Sequence, residues 1–541
     1  MSPSASTAQR LRDSSYDLDL STDVLVIGGS LSGIWAALSA AAQGARVVLA
    51  EKGWTGSAGV VAAAGGGGAY IIPGNEAQRR GVLAERHKEA AGLDDLGFLE
   101  QVYQQSYQSF QRLAEWGYHA PRLGAFNADT MAFLRRRLKR SGVKLLDHSP
   151  ALELLRDSDH QVAGAAGVQR QLERTWRVRA GAVILATGGN AFLSGAQGTN
   201  GCTGDGYLMA LEAGASLIGM EFASSYAFAP QDSTTTKGGM YFQGHVYDDR
   251  GSRLDPVMPA WFSIPNVADT LLQQRQPFYV LDKVPHDRQS AMLDGVPNFF
   301  QYFQRQTLNP FEQLWPVTLV MEGSVRGSGG LAVNTDCSTG VPGLYAVGDL
   351  ADKSRLVGAF LGGAGPCIAW CVASGEWAGE QAARFSRSAG ADHASRTLTP
   401  LGQVGLRPKA RQPALDPREV IGRVQGEVLP LEKSFYRHEA GMRASLQALD
   451  GIWAQSAAGL GGDDARSTLK AREAAFLAAT GRWIYQAALQ RRESRGLHRR
   501  GDYPDTDPHQ RHHLRVRGVE RIEVSACQEQ SAAASPPLQN Q

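Results

Sequence analysis

The feature that most constrains the fold is a strand, a glycine-rich turn, a helix and a second strand that follow one another near the start of the sequence. The apolar run DVLVIGG is followed by SLSGIWAALSAAAQG, which has helical spacing, and then by the apolar run ARVVLAEK. Two strands joined by a helical crossover pair in parallel within one sheet. The sequence therefore predicts an α/β fold, and 541 residues with 43% hydrophobic content can bury a large core around it.

The turn between the first strand and the helix has the composition of a dinucleotide-binding loop. Gly28, Gly29 and Gly33 allow the backbone to approach a pyrophosphate, and the helix N-terminus supplies positive partial charge. Ser30 stands where the second glycine of such motifs usually lies. Glu51, at the end of the second strand, can accept hydrogen bonds from ribose hydroxyls. Together these residues predict a dinucleotide site.

The rest of the chain divides by composition. Aromatic-rich, proline-dotted sequence indicates an inserted α+β capping domain, a Ser/Pro/Gly/Arg-rich stretch indicates a linker, and a long helical pattern indicates an antiparallel bundle. The predicted order is a disordered lead-in (1–20), the first part of the nucleotide-binding domain (21–220), the cap (221–325), the second part of that domain (326–385), the linker (386–416), the helical domain (417–505) and a tail (506–541) that is disordered after Arg515.

Charge and cysteine content exclude several classes of protein. The net charge of +2 gives no global field for nucleic acid. Five scattered cysteines without a Cys-x-x-Cys pair favour a reducing compartment, the cytoplasm, and argue against an iron–sulfur cluster or any other metal site in this chain. The segment from Leu356 to Gly375 has no charged residue, but its glycines and Pro366 favour a buried loop and core helix over a membrane span. The charged N-terminal residues predict no signal peptide.

Four segments resemble a known family. They are AVILATGG (182–189), TNGCTGDGYLMALEAGASLIGMEF (199–222), GLYAVGD (343–349) and RRESRGLHRRGDYPD (491–505). All are similar to segments of the flavoproteins of succinate dehydrogenase and fumarate reductase, of L-aspartate oxidase and of adenylylsulfate reductase. The resemblance runs from about Asp23 to Asp505 and implies that the nucleotide-binding domain is a two-part, Rossmann-like FAD-binding domain.

The resemblance and the glycine turn together imply a set of FAD-binding residues. Ala58 stands where succinate dehydrogenases carry a histidine joined covalently to FAD, so we expect non-covalent FAD. The stretch from Gly358 to Ile368 should direct a helix N-terminus at the flavin and stabilise negative charge on the reduced ring. The expected cofactor-binding residues are Gly28, Gly29, Ser30, Ser32, Gly33, Glu51, Lys52, Ser57, Ala58, Gly65, Ala186, Thr187, Gly188, Thr203, Gly204, Asp205, Gly348, Asp349 and Gly365.

The substrate-binding residues of the family are missing. The family's His-Pro-Thr triplet has no counterpart in residues 220–230, Val325 replaces a second histidine, and Leu361 replaces the arginine that transfers a proton. Without these groups a C4 dicarboxylate would be neither oriented nor protonated, so succinate or fumarate activity is not expected. The pattern most resembles the adenylylsulfate reductase branch, which implies a small ferredoxin-like iron–sulfur partner.

Other polar residues could serve a small polar or anionic substrate. The catalytic candidates are Arg326, Arg355, His245 and Tyr226, although a structural role is the commoner one for each residue taken alone. Arg495 and His498 match a family motif, and we expect them to anchor the helical domain.

Three functions remain open. The first is an FAD-dependent dehydrogenase or reductase that passes electrons to a separate redox protein. The second is an oxidase resembling L-aspartate oxidase. The third is an FAD-binding assembly component without turnover.

Overall fold

The computed structural model describes residues 6–120, 122–236, 238–255, 263–390, 392–409 and 415–527. The strands are β1 (Leu18–Ile27), β2 (Val47–Ala50), β3 (Gly66–Gly67), β4 (Ala125–Phe126), β5 (Lys144–Leu146), β6 (Ala151–Arg156), β7 (Val162–Gln169), β8 (Arg174–Leu185), β9 (Leu217–Ile218), β10 (Ser225–Pro230), β11 (His245–Tyr247), β12 (Phe278–Val280), β13 (Trp315–Glu322), β14 (Gly330–Leu331), β15 (Leu344–Ala346), β16 (Thr399–Pro400), β17 (Leu514–Arg517) and β18 (Glu523–Ala526).

The helices are numbered in the same way. They are α1 (Thr7–Arg12), α2 (Leu31–Ala42), α3 (Val60–Ala64), α4 (Glu76–Glu89), α5 (Leu96–Glu115), α6 (Ala128–Arg140), α7 (Asp205–Glu212), α8 (Ile264–Leu272), α9 (His286–Gly295), α10 (Pro297–Arg305), α11 (Gly323–Arg326), α12 (Ser354–Val357), α13 (Ala364–Ser388), α14 (Pro417–Val428), α15 (Leu431–Ser434), α16 (Glu439–Gly459) and α17 (Ala465–Gln490). Among the helices in these ranges, none is long and apolar enough to cross a membrane.

An eight-stranded sheet, here called the cofactor sheet, forms the centre of the molecule. Its order is β16-β6-β7-β8-β1-β2-β5, with β15 added beside β8. The strand β1 runs parallel to both β2 and β8, as the βαβ pattern predicts. The helices α2 and α13 pack closely on each other, because a Cβ atom on Gly379 would lie 2.5 Å from the carbonyl oxygen of Ala36. The carboxyl ends of β1 and β15 therefore open beside the starts of these two helices.

A second, antiparallel sheet, here called the cap sheet, has the order β10-β13-β12-β11. Aromatic side chains fill its core, with Tyr241 edge-on to Tyr279 at 5.1 Å and Phe303 edge-on to Trp315 at 4.8 Å. The strand β13 leads directly into α11, so the cap sheet delivers α11 to the cofactor sheet.

The helices α14, α16 and α17 pack together beside the cofactor sheet. Two ion pairs attach α17 to the loop after β2 and to α7: Lys52 Nζ lies 2.8 Å from Glu473 Oε1, and the buried Arg472 pairs with Glu212. The bundle is thus joined to the nucleotide-binding region through charge as well as apolar contact.

Three stretches expected to be irregular contain ordered elements. In the lead-in, α1 buries Leu11 against Leu152 and Leu469. In the linker, β16 pairs with β6 at the sheet edge. In the tail, β17 pairs with both β9 and β18. The expectation of disorder was wrong for α1 in the lead-in and for the described residues after Arg515 in the tail, because these short elements gain their order from distant partners rather than from their own composition.

Candidate active site

The turn between β1 and α2 is closely packed. Gly28 has φ of +111°, and a Cβ atom there would lie 2.3 Å from the carbonyl oxygen of Ala186. A Cβ atom on Gly33 would lie 1.8 Å from the carbonyl oxygen of Gly28. Within the described chain, the side chain of Ser30 makes no capping bond to α2, so the helix's first amide groups keep no internal partner. These uncapped amides at a glycine cradle fit the pyrophosphate of a dinucleotide.

Glu51 fixes this turn against β2. Its carboxylate accepts hydrogen bonds from the backbone amides of Gly29 at 2.5 Å and Gly53 at 2.6 Å, and its side chain is buried. Burial raises the pKa of Glu51, and the two amide bonds oppose that rise. The carboxylate therefore orders the glycine turn, in addition to any bond that it makes to a ribose.

Lys52 lies next to Glu51 but is committed to protein partners. Its ammonium contacts Thr203 Oγ1 at 2.7 Å, Asp205 Oδ2 at 3.0 Å and Glu473 Oε1 at 2.8 Å. Burial alone would lower the pKa of Lys52, but the two carboxylates raise it. We infer that Lys52 joins β2 to α7 and α17 rather than donating to a ligand.

The segments named for cofactor binding converge around Cys202. A Cβ atom on Gly188 would lie 3.2 Å from its sulfur. Burial raises the pKa of the Cys202 thiol to about 12, and the negative charges of Asp349, Asp205 and Glu51 add to the effect. Carboxylates from three separate segments therefore act on one buried thiol, and the nearby Lys52 ammonium opposes them.

The helix α13 begins at this site. Its N-cap, Gly363, has φ of +60°, and Gly365 accepts a hydrogen bond from the amide of Ala69 at 2.9 Å. Gly65 ends α3 with φ of +62° just before this contact. The glycine-rich loop after α3 is thus held against the start of α13. That this helix N-terminus is directed at a flavin stays a prediction.

The loop before α3 contains two further expected cofactor residues, Ser57 and Ala58. The amides of Ser57 and Ala58 both donate to the carbonyl oxygen of Trp54, at 3.0 and 2.9 Å. The methyl side chain of Ala58 offers no atom for covalent attachment of a flavin.

Lys353, which the sequence did not bring to attention, is buried at the end of β15. Its ammonium donates to Asp349 Oδ1 at 2.8 Å and to the carbonyl oxygen of Val325 at 2.9 Å, and lies 3.6 Å from Cys367 Sγ. Burial would lower the pKa of Lys353, but the adjacent Asp349 carboxylate raises it above the ordinary value. The lysine is therefore charged inside the site.

Arg326 and Glu322 form a second pair beside it. Arg326 Nε lies 3.7 Å from Glu322 Oε2, and Glu322 Oε1 accepts a hydrogen bond from Thr236 at 2.8 Å. The Arg326 side chain is 18% exposed, and among the described residues this ion pair is its only one. Burial raises the pKa of Glu322, while Arg326 opposes that rise. We call Glu322, Arg326, Asp349 and Lys353 the charged cluster.

Two other catalytic candidates have partners elsewhere. Arg355 Nη2 lies 2.6 Å from Asp95 Oδ2, and its guanidinium stacks over Phe98 at 3.8 Å. His245 Nδ1 lies 2.8 Å from Asp282 Oδ1 at the edge of the cap sheet. These contacts give Arg355 and His245 structural roles.

Tyr226 is also occupied structurally. Its hydroxyl donates to the carbonyl oxygen of Leu429 at 3.2 Å, and its ring meets Phe435 edge-on.

Of the four catalytic candidates, only Arg326 belongs to the charged cluster. The two members that sequence reasoning missed each stand four residues from an expected one, Lys353 after Asp349 and Glu322 before Arg326. That spacing is the only signal that the sequence carried.

The C-terminal family motif has the anchoring role that was expected. Arg495 donates to the carbonyl oxygen of Ala91, beside α4. His498 Nδ1 lies 2.8 Å from Arg437 Nη1, which also donates to the carbonyl oxygen of Glu221 at 2.7 Å. The motif thus ties α16 to the start of the cap and to the cofactor sheet's helices.

Comparison with known proteins agrees with this geometry. Residues 23–211 match a family described as FAD dependent oxidoreductase, and residues 426–530 match the C-terminal region of the fumarate reductase flavoprotein. L-aspartate oxidase of Streptomyces coelicolor is 25% identical over 93% of this chain and 92% of its own. The same enzyme of a Nostoc species is 28% identical over 61% of this chain, an alignment that spans 62% of that enzyme.

A solved structure of E. coli quinol fumarate reductase superimposes with a TM-score of 0.78, at 19% identity, over 96% of this chain and 98% of its own. The dinucleotide cradle and these matches define an FAD-dependent oxidoreductase. The chain belongs to the flavoprotein family that includes succinate dehydrogenase, fumarate reductase and L-aspartate oxidase.

Proposed function

We propose that the protein is a dehydrogenase or reductase whose substrate is a small anion held by Arg326 between the flavin and the cap sheet. The observation that carries this proposal is the state of Arg326. The Arg326 side chain is mostly buried and belongs to the charged cluster. Its ion pair with Glu322 is long, at 3.7 Å, so its guanidinium can donate hydrogen bonds to an oxyanion. A carboxylate or similar oxyanion is the chemistry that such a group recognises.

Glu322 is the residue best placed to move a proton. Thr236 donates to Oε1, which leaves Oε2, the oxygen nearer Arg326, to exchange a proton with a bound substrate. Because burial raises the pKa of Glu322, its carboxyl can hold a proton at a higher pH than an exposed glutamate can. Arg326 would orient the substrate and Glu322 would give or take its proton.

FAD bound in the glycine cradle supplies the two-electron acceptor or donor. The backbone around Gly28 and Gly33 would hold its pyrophosphate, and Asp349 would hold the ribityl chain. We propose that FAD is bound without a covalent link, because Ala58 has no nucleophilic atom. Flavin released into the supernatant on acid precipitation would support this mode, and flavin that stays with the precipitated chain would contradict it.

Electrons would pass to a separate protein. The resemblance to adenylylsulfate reductase favours a small ferredoxin-like iron–sulfur partner, and a cytoplasmic location fits the five cysteines, all described and all unpaired. A second candidate is an oxidase that returns electrons to oxygen, favoured by the nearly full-length alignments to L-aspartate oxidases. Stopped-flow mixing of the reduced protein with air separates the two candidates. The reduced flavin of an oxidase is reoxidised by oxygen much faster than the reduced flavin of a dehydrogenase or reductase.

The test uses matched pairs of compounds. Photochemically reduced protein is mixed anaerobically with a panel of unsaturated or keto carboxylates and with the neutral amide of each. We expect saturable reoxidation with at least one carboxylate and at least tenfold slower reoxidation with its amide. Equal rates for both members of every pair that reacts would overturn the anion proposal. A different outcome is that the protein reacts with no compound of the panel and shows no turnover with artificial electron acceptors in the oxidative direction. That result would favour an FAD-binding assembly component without turnover.

Fumarate is included as a control for the missing family residues. Val325 and Leu361 replace groups that bind and protonate a dicarboxylate, so fumarate should leave the flavin reduced. Succinate and L-aspartate should likewise leave the oxidised flavin unchanged.

A further inference from the structure

Lys353 is the only lysine among the described residues whose side chain is fully buried. Taking an ammonium out of water is unfavourable unless an anion and hydrogen bonds compensate for it. Here all three protons have a partner: a carboxylate oxygen of Asp349, a backbone carbonyl oxygen and a thiol sulfur. A fixed positive charge is thus built into the site, whereas the sequence suggested only the partial charge of a helix N-terminus.

The partner of Lys353 explains why a charge is placed there. Asp349 ends the GLYAVGD segment, and its carboxylate also influences the titration of Cys202 and of Cys367. An uncompensated carboxylate at a flavin site would oppose the gain of electrons, because reduced flavin is itself negative. The ammonium of Lys353, 2.8 Å from that carboxylate, cancels its charge.

The other groups near Lys353 do not replace it. Cys367 stays a neutral thiol, because burial raises its pKa to about 11. While Glu322 is ionised, its pairing with Arg326 leaves these two residues with no net charge. Removal of Lys353 alone would therefore leave the charged cluster with one excess negative charge.

We propose that Lys353 sets the electron affinity of the bound FAD by neutralising Asp349 inside the cofactor site. It acts through charge and through the position of Asp349, as a positioning residue rather than as a reactant. Two-electron reduction takes up two electrons and one proton and leaves one net negative charge on the flavin. A local positive charge favours that state, and a local negative charge opposes it. This inference rests on FAD binding alone and does not depend on the substrate.

The experiment is a spectroelectrochemical titration of the flavin in the holoprotein, with mediator dyes as the electron source. Three variants are compared with the parent: Lys353→Met, Asp349→Asn and the double variant. We expect Lys353→Met to lower the equilibrium constant for two-electron reduction at least tenfold, which is about 30 mV. Asp349→Asn should raise it, and the double variant, which restores the net charge, should return close to the parent.

The order of the four potentials tests charge rather than packing. If Lys353 had a purely structural role, its replacement would lower the affinity for FAD. The flavin potential of the double variant would then not lie between the potentials of the two single variants. Lys433→Met, which breaks a partly buried lysine–glutamate pair at 2.8 Å in the helical domain, is the matched control and should not shift the potential. If Lys353→Met retains no FAD, Asp349→Asn decides alone: an unchanged or lowered potential in that variant would overturn the proposal.

Discussion

The glycine turn before α2 and the charged cluster beside α11 lie in one site but are specified in different ways. At the turn, function depends on where the backbone can go, and a Cβ atom on Gly33 would come within 1.8 Å of a carbonyl oxygen. In the cluster, function depends on which side chains meet: Glu322 ends β13, whereas Lys353 precedes α12. A backbone requirement is visible in a short stretch of sequence, whereas an encounter between side chains is not.

The largest effect is expected at the turn. Gly33→Val would force α2 away from β1, because no side chain fits against the carbonyl oxygen of Gly28. The variant should purify without FAD, as measured by the ratio of absorbance at 450 nm to that at 280 nm. Gly44→Val, at a glycine with open space around it but a φ of +80°, controls for strain alone and should keep its FAD. A yellow Gly33→Val protein would show that the cradle lies elsewhere.

The next effect concerns proton transfer in the cluster. Glu322→Gln keeps the hydrogen bond from Thr236 but cannot titrate, so kcat should fall about 10²-fold. In the oxidative direction the parent's rate should rise with pH through a pKa above that of an ordinary glutamate, because burial favours the protonated carboxyl. In the reductive direction the rate should fall over the same range.

In Glu322→Gln the rate should no longer change with pH over this range, in either the oxidative or the reductive direction. A pH profile for Glu322→Gln that parallels the parent's would assign the proton to another group. Glu439→Gln, an exposed glutamate paired with Arg443, is the control.

A smaller effect separates Arg326 from the other arginine candidate. Arg326→Gln removes a charged hydrogen-bond donor worth about 1.5–3 kcal/mol, so KM for the anionic substrate should rise roughly 10- to 100-fold. Arg355→Gln should change KM less than about threefold, because its partner is Asp95 at the start of α5. The reverse result would move the substrate site from α11 to α12.

The smallest effect is one of stability near the cluster. Burial raises the pKa of Asp352 to about 6, although two hydrogen bonds from Ser354 oppose that rise. The folded state therefore holds a proton that the unfolded state has released, and stability from this group is lost as the pH rises from about 4 to 6. Asp352→Asn should melt a few degrees higher than the parent at pH 7.5 and equally at pH 4. Equal melting temperatures at both pH values would contradict the assignment.

The sequence predicted those elements whose pattern is local. The helix expected between the two apolar runs is α2, and the parallel pairing of β1 with β2 follows from that crossover. It could not predict that α1 or β17 would be ordered, because each is stabilised by residues far along the chain. It also could not distinguish Arg355 from Arg326, since only the fold shows that Arg355 pairs with Asp95 and Arg326 with Glu322.

The pairing of β17 with β9 has a consequence for the order in which the molecule folds. Arg515 in β17 donates to Ser216 Oγ, and the two residues are 299 positions apart. A nascent chain therefore presents β9 with an edge that lacks its β17 partner until residues 514–517 have been synthesised. Closing so distant a contact carries a large loop entropy, so we expect it to form late. During translation, β9 would be the edge most in need of a chaperone.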